Sequence, residues 1–151
     1  MKAPQRVSVQ REDAAAMGVT VSVRFPSDVR LIEEAVETLS FHCFGDYIPP
    51  RDLGFRLRVA LAEALDNAII NGNHEDAGKS VEARVEMQPD RLRIGVSDEG
   101  AGFDPGAIAP PTDEEALERP GGRGLFIIRS LVDHVEFNDR GNTIWMTLAR
   151  S

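Results

Sequence analysis

The sequence contains little cysteine and little positive charge. Its only cysteine, Cys43, excludes a disulfide within the chain and suits a reducing compartment. Seventeen basic residues stand against twenty-five acidic ones, and the net charge is -8. Because this average charge repels a nucleic-acid phosphate backbone, we expect no direct contact with DNA or RNA. An anionic ligand would instead need local groups, such as backbone N–H groups, a few arginines or a metal ion.

Long apolar segments are missing as well. No stretch approaches the roughly 18 consecutive apolar residues of a membrane span, and the first residues include no apolar run suited to secretion. We therefore expect a cytoplasmic protein without a membrane partner. Its 151 residues, 42% of them hydrophobic and 28% charged, suffice for one globular domain with a core of its own.

Apolar periodicities predict an α+β fold. Residues 1–17 are predicted to form a flexible N-terminal tail and residues 18–151 a single domain. Since βαβ alternation is absent, the helices are expected on one face of a mixed, mostly antiparallel sheet, which gives a two-layer sandwich. The patterns predict, in order, a strand at 19–25, helices at about 28–43 and 52–73, strands at 81–87 and 91–98, a glycine-rich loop, a helix at 125–133 and two strands around the turn 140–142.

The second predicted helix carries a line of polar residues four positions apart. Glu63, Asn67 and Asn71 drift from the open flank of this helix toward its apolar stripe. Asparagine is a mediocre helix former, so its repeated use needs a reason. A carboxylate can accept a proton from an attacking hydroxyl, and a neutral amide oxygen can bind magnesium. The alternative is a solvated helix flank with ordinary polarity.

A first glycine motif lies where a predicted strand leaves the sheet. In Asp98-Glu99-Gly100-Ala101-Gly102, the aspartate at the strand end can accept a hydrogen bond from an exocyclic amine. The two glycines let the backbone turn and let a flat ring approach closely. A simple turn after a strand is the alternative interpretation of this motif.

A second glycine motif directly precedes the third predicted helix. Gly121, Gly122, Arg123 and Gly124 place free backbone N–H groups and a helix N-terminus together, which suits a phosphate group. Arg123 adds a cation in an otherwise acidic chain. The motif is not a P-loop, because no Gly-Lys-Ser/Thr follows. A flexible connection to the helix is the alternative interpretation.

Taken in this order, the three motifs resemble the N box and the two glycine boxes of the gyrase/histidine-kinase/MutL-type (GHKL) ATPase superfamily. The likeness is carried by "AEALDNAIINGN", "VSDEGAGFDP" and "GGRGLFIIRSLVDHVEF" and spans residues 18–149. Within the superfamily, the chain is most similar to the stand-alone anti-sigma-factor serine kinases of bacterial partner-switching systems. The implied architecture is the Bergerat ATP-binding fold, with a lid at residues 104–123.

The resemblance also implies a role for each motif residue. Glu63 matches the general base and Asn67 the magnesium ligand, and Asn71 stands at a phosphate-side position where many relatives carry histidine. Asp98 matches the aspartate that reads the adenine. The remaining matches are the turn beneath the base at Gly100 and Gly102, the phosphate-side loop at Gly121, Gly122, Arg123 and Gly124, and a last-strand threonine near the adenine at Thr143.

The same resemblance implies a serine/threonine protein kinase that uses ATP and Mg²⁺. Kinases of this type phosphorylate a serine of a small anti-sigma-factor antagonist, a STAS-type protein, and sequester a sigma factor or a similar regulator. A homodimer is compatible with this expectation. Two alternatives stay open: a nucleotide-sensing binding module with vestigial catalysis, and a detached histidine-kinase ATPase domain that serves a histidine-bearing partner.

Overall fold

A computed structural model of the chain describes residues 7–14, 18–44, 51–100 and 122–150. It confirms the predicted α+β class, and each strand and helix predicted from residue 19 onward is found with shifted ends. The strands are β1 (Ser8–Ala14), β2 (Gly18–Pro26), β3 (Ser80–Met87), β4 (Arg91–Ser97), β5 (His134–Phe137) and β6 (Thr143–Ala149). The helices are α1 (Ile32–Phe44), which follows a 3-10 turn at Val29–Leu31, α2 (Arg51–Asn67), which continues as a π-helical turn at Ala68–Gly72, and α3 (Gly122–Leu131).

The six strands form one sheet in the order β1-β2-β3-β4-β6-β5. Every described pair of neighbouring strands is antiparallel, in agreement with the predicted, mostly antiparallel sheet. A tight turn joins β3 to β4, where the Gln88 N–H donates to the Arg91 carbonyl at 2.9 Å. Strands β2 and β3 are neighbours although α1 and α2 lie between them in sequence. The chain therefore leaves the sheet after β2, forms the two helices and returns to the adjacent position as β3.

Alternating side chains build the core between the sheet and the helices. The strand register aligns Val21, Val85, Ile94 and Met146 in one row across four strands, and all four are fully buried. Burying each such side chain contributes about 1.5–3 kcal/mol. The helices therefore lie against one face of the sheet, as expected for a two-layer sandwich. They contribute Ala35, Leu39, Leu57, Leu61, Leu65 and Ile128 to the same core.

The N-terminal strand departs from the sequence-based expectation. Residues 1–17 are predicted to be a tail, yet Ser8–Ala14 pairs with β2 along its whole length. Val7 is buried in the core and Val9 packs against it. These two valines are the apolar signal, but one alternating pair among charged residues is too short to predict a strand. The prediction of a loose tail is therefore wrong for Ser8–Ala14.

The C-terminal end of α2 differs from the predicted regular helix over 52–73. The α-helix ends at Asn67, and Ala68–Gly72 form a wider π-helical turn. The Asn73 N–H closes this turn on the Ala68 carbonyl at 2.8 Å. Single π-helical turns are frequent at functional sites. The side chains after Asn67 are thereby rotated about the helix axis relative to a regular α-helix.

Helix α3 begins at Gly122, before the predicted start at residue 125. Its C-terminal end is tied to α2, because the Arg56 guanidinium donates to the Leu131 carbonyl and to the Asp133 carboxylate, the latter at 3.3 Å. This tie holds the two helices side by side. Within the described ranges, no helix combines the length and the apolar character needed to cross a bilayer.

Candidate functional site

The predicted polar line lies along α2 and its π-helical turn. Glu63, Asn67 and Asn71 are all half-buried, between the apolar face of the helix and solvent. The Asn71 Nδ2 donates to the Asn67 Oδ1 at 3.4 Å, so the two amides face the same side. This bond uses only one lone pair of the Asn67 oxygen, and a carbonyl oxygen has two. The Asn67 oxygen therefore keeps the capacity to bind a cation.

Gly124 brings the start of α3 directly onto this polar line. A β-carbon placed on Gly124 would lie 2.8 Å from the Asn67 Nδ2 and 3.2 Å from the Glu63 Oε2. Any other residue would displace the Asn67 side chain, because real β-carbons do not approach another atom as closely as 2.8 Å. The first turn of a helix presents unpaired backbone N–H groups. Gly124, one residue of the predicted phosphate-side loop, and the predicted acid–amide pair are thus neighbours in the fold.

Asp98 lies at the opposite end of the π-helical turn, against Gly72. A β-carbon on Gly72 would overlap the Asp98 carboxylate, and one on Gly100 would overlap the Gly72 carbonyl oxygen. The Asp98 Oδ1 accepts a hydrogen bond from the Gly100 N–H at 2.8 Å. Two glycines therefore allow the strand end and the helix end to meet at van der Waals distance. The sequence predicts Gly72 only as a residue at the end of a helix. Its contact with Asp98 could be seen only in the structure.

Thr143 starts β6 next to β4, which ends at Ser97, one residue before Asp98. It lies opposite Ser97 in the sheet, and the two hydroxyl oxygens are 2.9 Å apart. The Asp98 N–H donates to the Asn142 carbonyl at 3.0 Å, which fixes Asp98 beside the residue that precedes β6. Thr143 and Asp98 thus occupy adjacent strand ends, as their predicted common role requires.

Asn73 is a residue of this region that the sequence-based interpretation missed. Its side chain is fully buried and donates through Nδ2 to the Ser27 hydroxyl at 2.7 Å and to the Ser80 carbonyl at 2.9 Å. Its Oδ1 accepts from the Glu99 N–H at 2.8 Å. In the sequence an asparagine after a glycine at a helix end is typical of a helix terminus. No signal in one sequence distinguishes that from a buried, fully bonded amide.

Both acidic residues of the site have a raised carboxyl pKa. Burial raises the pKa of Glu63, and the neighbouring Asp66 carboxylate raises it further. Burial also raises the pKa of Asp98, although the Gly100 N–H and the Lys79 ammonium oppose the shift. Partial desolvation strengthens the interaction of these groups with a bound partner.

Some predicted residues cannot be placed with the others. Gly102 and Gly121 lie outside the described residues, as does most of the predicted lid at 104–123. Gly122 is the first residue of α3, and the Arg123 side chain beside it is exposed to solvent.

No group of three or more histidine, cysteine or acidic side chains is placed to hold a metal ion in the described part of the chain. Magnesium in nucleotide sites takes one or two protein oxygens and completes its shell with water and phosphate oxygens. A single amide oxygen at Asn67, beside a helix N-terminus suited to phosphate, fits that manner of binding.

Comparison with known proteins identifies the family. A model of the histidine kinase-like ATPase domain matches residues 25–148. The chain belongs to the histidine kinase-like ATPase family. The predicted GHKL resemblance is thereby confirmed, and membership of this family implies ATP as the ligand.

Among characterised members, the chain is similar to the serine-protein kinase RsbW of Staphylococcus aureus. The proteins of strains JH9, Newman and USA300 are each 30% identical to it over 145 residues, which is 91% of this chain and 87% of the relative. The similarity therefore extends over nearly the whole length of both proteins, and includes the elements that carry Glu63, Asn67 and Asp98.

Proposed function

We propose that the chain is an ATP-dependent serine/threonine protein kinase that also acts as an anti-sigma factor. In this proposal it phosphorylates a serine of a small STAS-type antagonist and sequesters a sigma factor or a similar regulator in the cytoplasm, with a homodimer as a compatible assembly. The main support is the contact of Gly124 with Asn67 and Glu63, which unites a phosphate-binding helix start with an acid–amide pair. The full-length similarity to serine-protein kinases adds to it.

The base of the nucleotide is assigned to the end of the site at Asp98. The Asp98 carboxylate accepts a hydrogen bond from the exocyclic amine of adenine. The turn at Gly100 and Gly102 lies beneath the ring, and Thr143 lines the adjoining strand end. Gly72 and Gly100 place no side chains beside the Asp98 carboxylate, and glycine backbone lets a flat base approach closely.

The triphosphate is assigned to the end at Gly124. Backbone N–H groups at Gly121, Gly122 and Gly124 donate to phosphate oxygens, and the exposed Arg123 adds a positive charge. The Asn71 amide contacts the phosphate side, and the Asn67 oxygen holds Mg²⁺. When bound, that ion neutralises the charge that develops on the phosphate oxygens during transfer.

Glu63 acts as the general base of the reaction. It accepts the proton of the serine hydroxyl as the hydroxyl oxygen attacks the terminal phosphorus of ATP. The bond from that phosphorus to the bridging oxygen breaks, and ADP leaves with that oxygen. Its raised pKa makes the carboxylate a better proton acceptor than an ordinary surface glutamate. Most of the rate enhancement comes from positioning and from donors aimed at the phosphate, because phosphoryl transfer needs little covalent help.

The experiment is incubation with Mg²⁺, labelled ATP and the cognate antagonist. We expect acid-stable phosphoserine on the antagonist, and a transfer rate that Glu63→Gln lowers by about 10²–10⁴-fold without loss of ATP binding. The matched control is Glu75→Gln, at an exposed residue beyond the π-helical turn. ATP binding without phosphoserine would instead indicate a nucleotide-sensing module, and acid-labile phosphate on a histidine-bearing partner would indicate a detached histidine-kinase domain.

A further inference from the structure

Asn73 is the most completely buried polar side chain among the described residues. Ser27 is the other buried polar residue of the same ranges, and the two are bonded to each other. A buried amide without partners would cost about 1–3 kcal/mol. Both donors of the Asn73 amide and its acceptor are used, so the group is retained at no such cost. A leucine could fill a core position without any polar group to satisfy. The amide therefore contributes its hydrogen bonds to Ser27, Ser80 and Glu99 rather than apolar packing.

The amide of Asn73 joins the ends of three interior strands at one end of the sheet. Ser27 directly follows β2, Ser80 begins β3, and Glu99 lies just beyond β4. The Ser27 hydroxyl continues the chain of bonds by donating to the Lys79 carbonyl at 2.9 Å. Asn73 itself is fixed by its own N–H, which closes the π-helical turn on Ala68. The side chain therefore links the π-helical turn at the end of α2 to the ends of these three strands.

The Asp98–Gly100 turn is held from both sides by this arrangement. The Asn73 oxygen binds the N–H of Glu99, the residue between Asp98 and Gly100. The Gly72 carbonyl, one residue before Asn73, lies against Gly100. The Glu99 carboxylate in turn accepts from the Ser80 N–H. A turn with glycine at its third position is soft by itself, and these contacts remove that freedom.

We infer that Asn73 is the positioning residue for recognition of the base. By holding the Glu99 N–H, it sets where the Asp98 carboxylate stands relative to Gly72, and so determines whether the carboxylate can reach an exocyclic amine. The inference rests on the proposed function, since it concerns the adenine end of that site. Hydrogen bonds need a donor–acceptor distance near 3 Å and a nearly linear angle, so a small displacement of the turn weakens the discrimination between bases.

The test is calorimetry with two nucleotides, ATP and purine riboside triphosphate, which lacks the exocyclic amine. We expect Asn73→Ala to lower the affinity for ATP by about 10-fold, a change that corresponds to about 1.4 kcal/mol. The affinity for purine riboside triphosphate stays at the wild-type value. The ratio of the two affinities is the decisive readout, because a merely structural role for Asn73 would lower both equally or lower only the melting temperature.

Two further variants keep the test decisive if Asn73→Ala does not fold. Asn73→Asp keeps an oxygen that accepts from Glu99, so we expect it to preserve the affinity ratio despite lower stability. Glu99→Ala changes an exposed side chain and removes only the bond to Ser80, so it should fold and reduce the ratio by a smaller factor.

The control is Ser27→Ala, which removes a partner of the Asn73 Nδ2 and leaves the Glu99 contact intact. It should lower the melting temperature while the affinity ratio is retained. Equal losses for both nucleotides in Asn73→Ala, or an unchanged ratio, would overturn the inference. A wild-type protein that binds neither nucleotide would overturn the proposed function instead.

Discussion

Gly124 on α3 lies against Asn67 on α2, so close that a β-carbon on the glycine would stand 2.8 Å from the asparagine Nδ2. The start of one helix, where backbone N–H groups lack helical partners, and the Asn67 amide on the other helix are therefore neighbours. Anionic oxygens favour the first and a hard cation favours the second. Because an ATP–magnesium complex offers both chemistries at once, this contact is where we place the phosphates.

Substitution of Gly124 tests the contact directly. We expect Gly124→Ala to displace the Asn67 side chain from its position beside the start of α3, since overpacking of a close contact costs about 1–3 kcal/mol. Part of that cost should appear as a lower melting temperature and part as weaker ATP binding. Gly78→Ala is the matched control, because Gly78 is exposed and a β-carbon there meets only the Asp76 side chain, at the longer distance of 3.2 Å. Wild-type ATP affinity in Gly124→Ala would argue against a phosphate site at this contact.

The assignment of Asn67 concerns the metal ion. We expect Asn67→Ala to weaken ATP binding more strongly when Mg²⁺ is present than when it is chelated, because the variant removes the oxygen that holds the ion. Calorimetric titrations with and without Mg²⁺ measure the difference. Asn71→Ala is the comparison, since Asn71 donates to Asn67 but is assigned to the phosphates. Equal losses for Asn67→Ala under both conditions would contradict the magnesium role.

Asp98 is expected to be necessary for ATP binding. Asp98→Asn keeps the size of the side chain but removes its charge and replaces one acceptor oxygen by an amino group, and a hydrogen bond to a charged group contributes about 1.5–3 kcal/mol. ATP affinity should therefore fall by about 10- to 100-fold, whereas Asp90→Asn in the exposed β3–β4 turn should bind ATP as the wild type does. Unchanged affinity for Asp98→Asn by calorimetry would refute the adenine assignment.

The same variant has an opposite effect on folding. Burial raises the pKa of Asp98 in the folded protein above its unfolded value. The group therefore favours folding while protonated, and this contribution is lost as the pH rises through the raised pKa. At neutral pH we expect Asp98→Asn to be at least as stable as the wild type, with the difference shrinking in acid. Thermal denaturation over a pH series measures it, and marked destabilisation at neutral pH would show that the carboxylate instead stabilises the fold.

Cys43 is expected to be inert. Burial raises the pKa of this thiol to about 12, even though the nearby Arg11 charge opposes the shift. Almost no thiolate is present at neutral pH, and the thiolate is the reactive form. A thiol reagent should label the denatured protein quickly and the native protein very slowly. Rapid labelling of the native protein would mean that Cys43 is more accessible than its packing against the core indicates.

The fold was predictable from the sequence where apolar spacing is long and regular. The valines at 19, 21 and 23 and the stripe around Leu61 and Leu65 have a single consistent interpretation, and the structure agrees with it. β1 was not predictable, because Val7 and Val9 are its only apolar signal and its stability comes from pairing with β2. Such long-range pairing leaves no local trace in a sequence.

The site was predictable as motifs but not as a contact map. Spacing along one helix predicts that Glu63 and Asn67 share a side, since helical geometry is local. No local sequence pattern predicts that Gly72 contacts Asp98, because that contact depends on the π-helical turn and on where β4 ends. Asn73 was missed for the same reason. Its partners Ser27 and Glu99 are 46 and 26 residues away, and Ser80 lies seven residues away, beyond irregular turns.

The most direct test of the account is a crystal structure with Mg²⁺ and a non-hydrolysable ATP analogue. We expect the exocyclic amine of the base on the Asp98 carboxylate, the metal ion on the Asn67 oxygen, and phosphate oxygens at the backbone of Gly124. A nucleotide bound elsewhere, or an occupied site with the base turned away from Asp98, would contradict it.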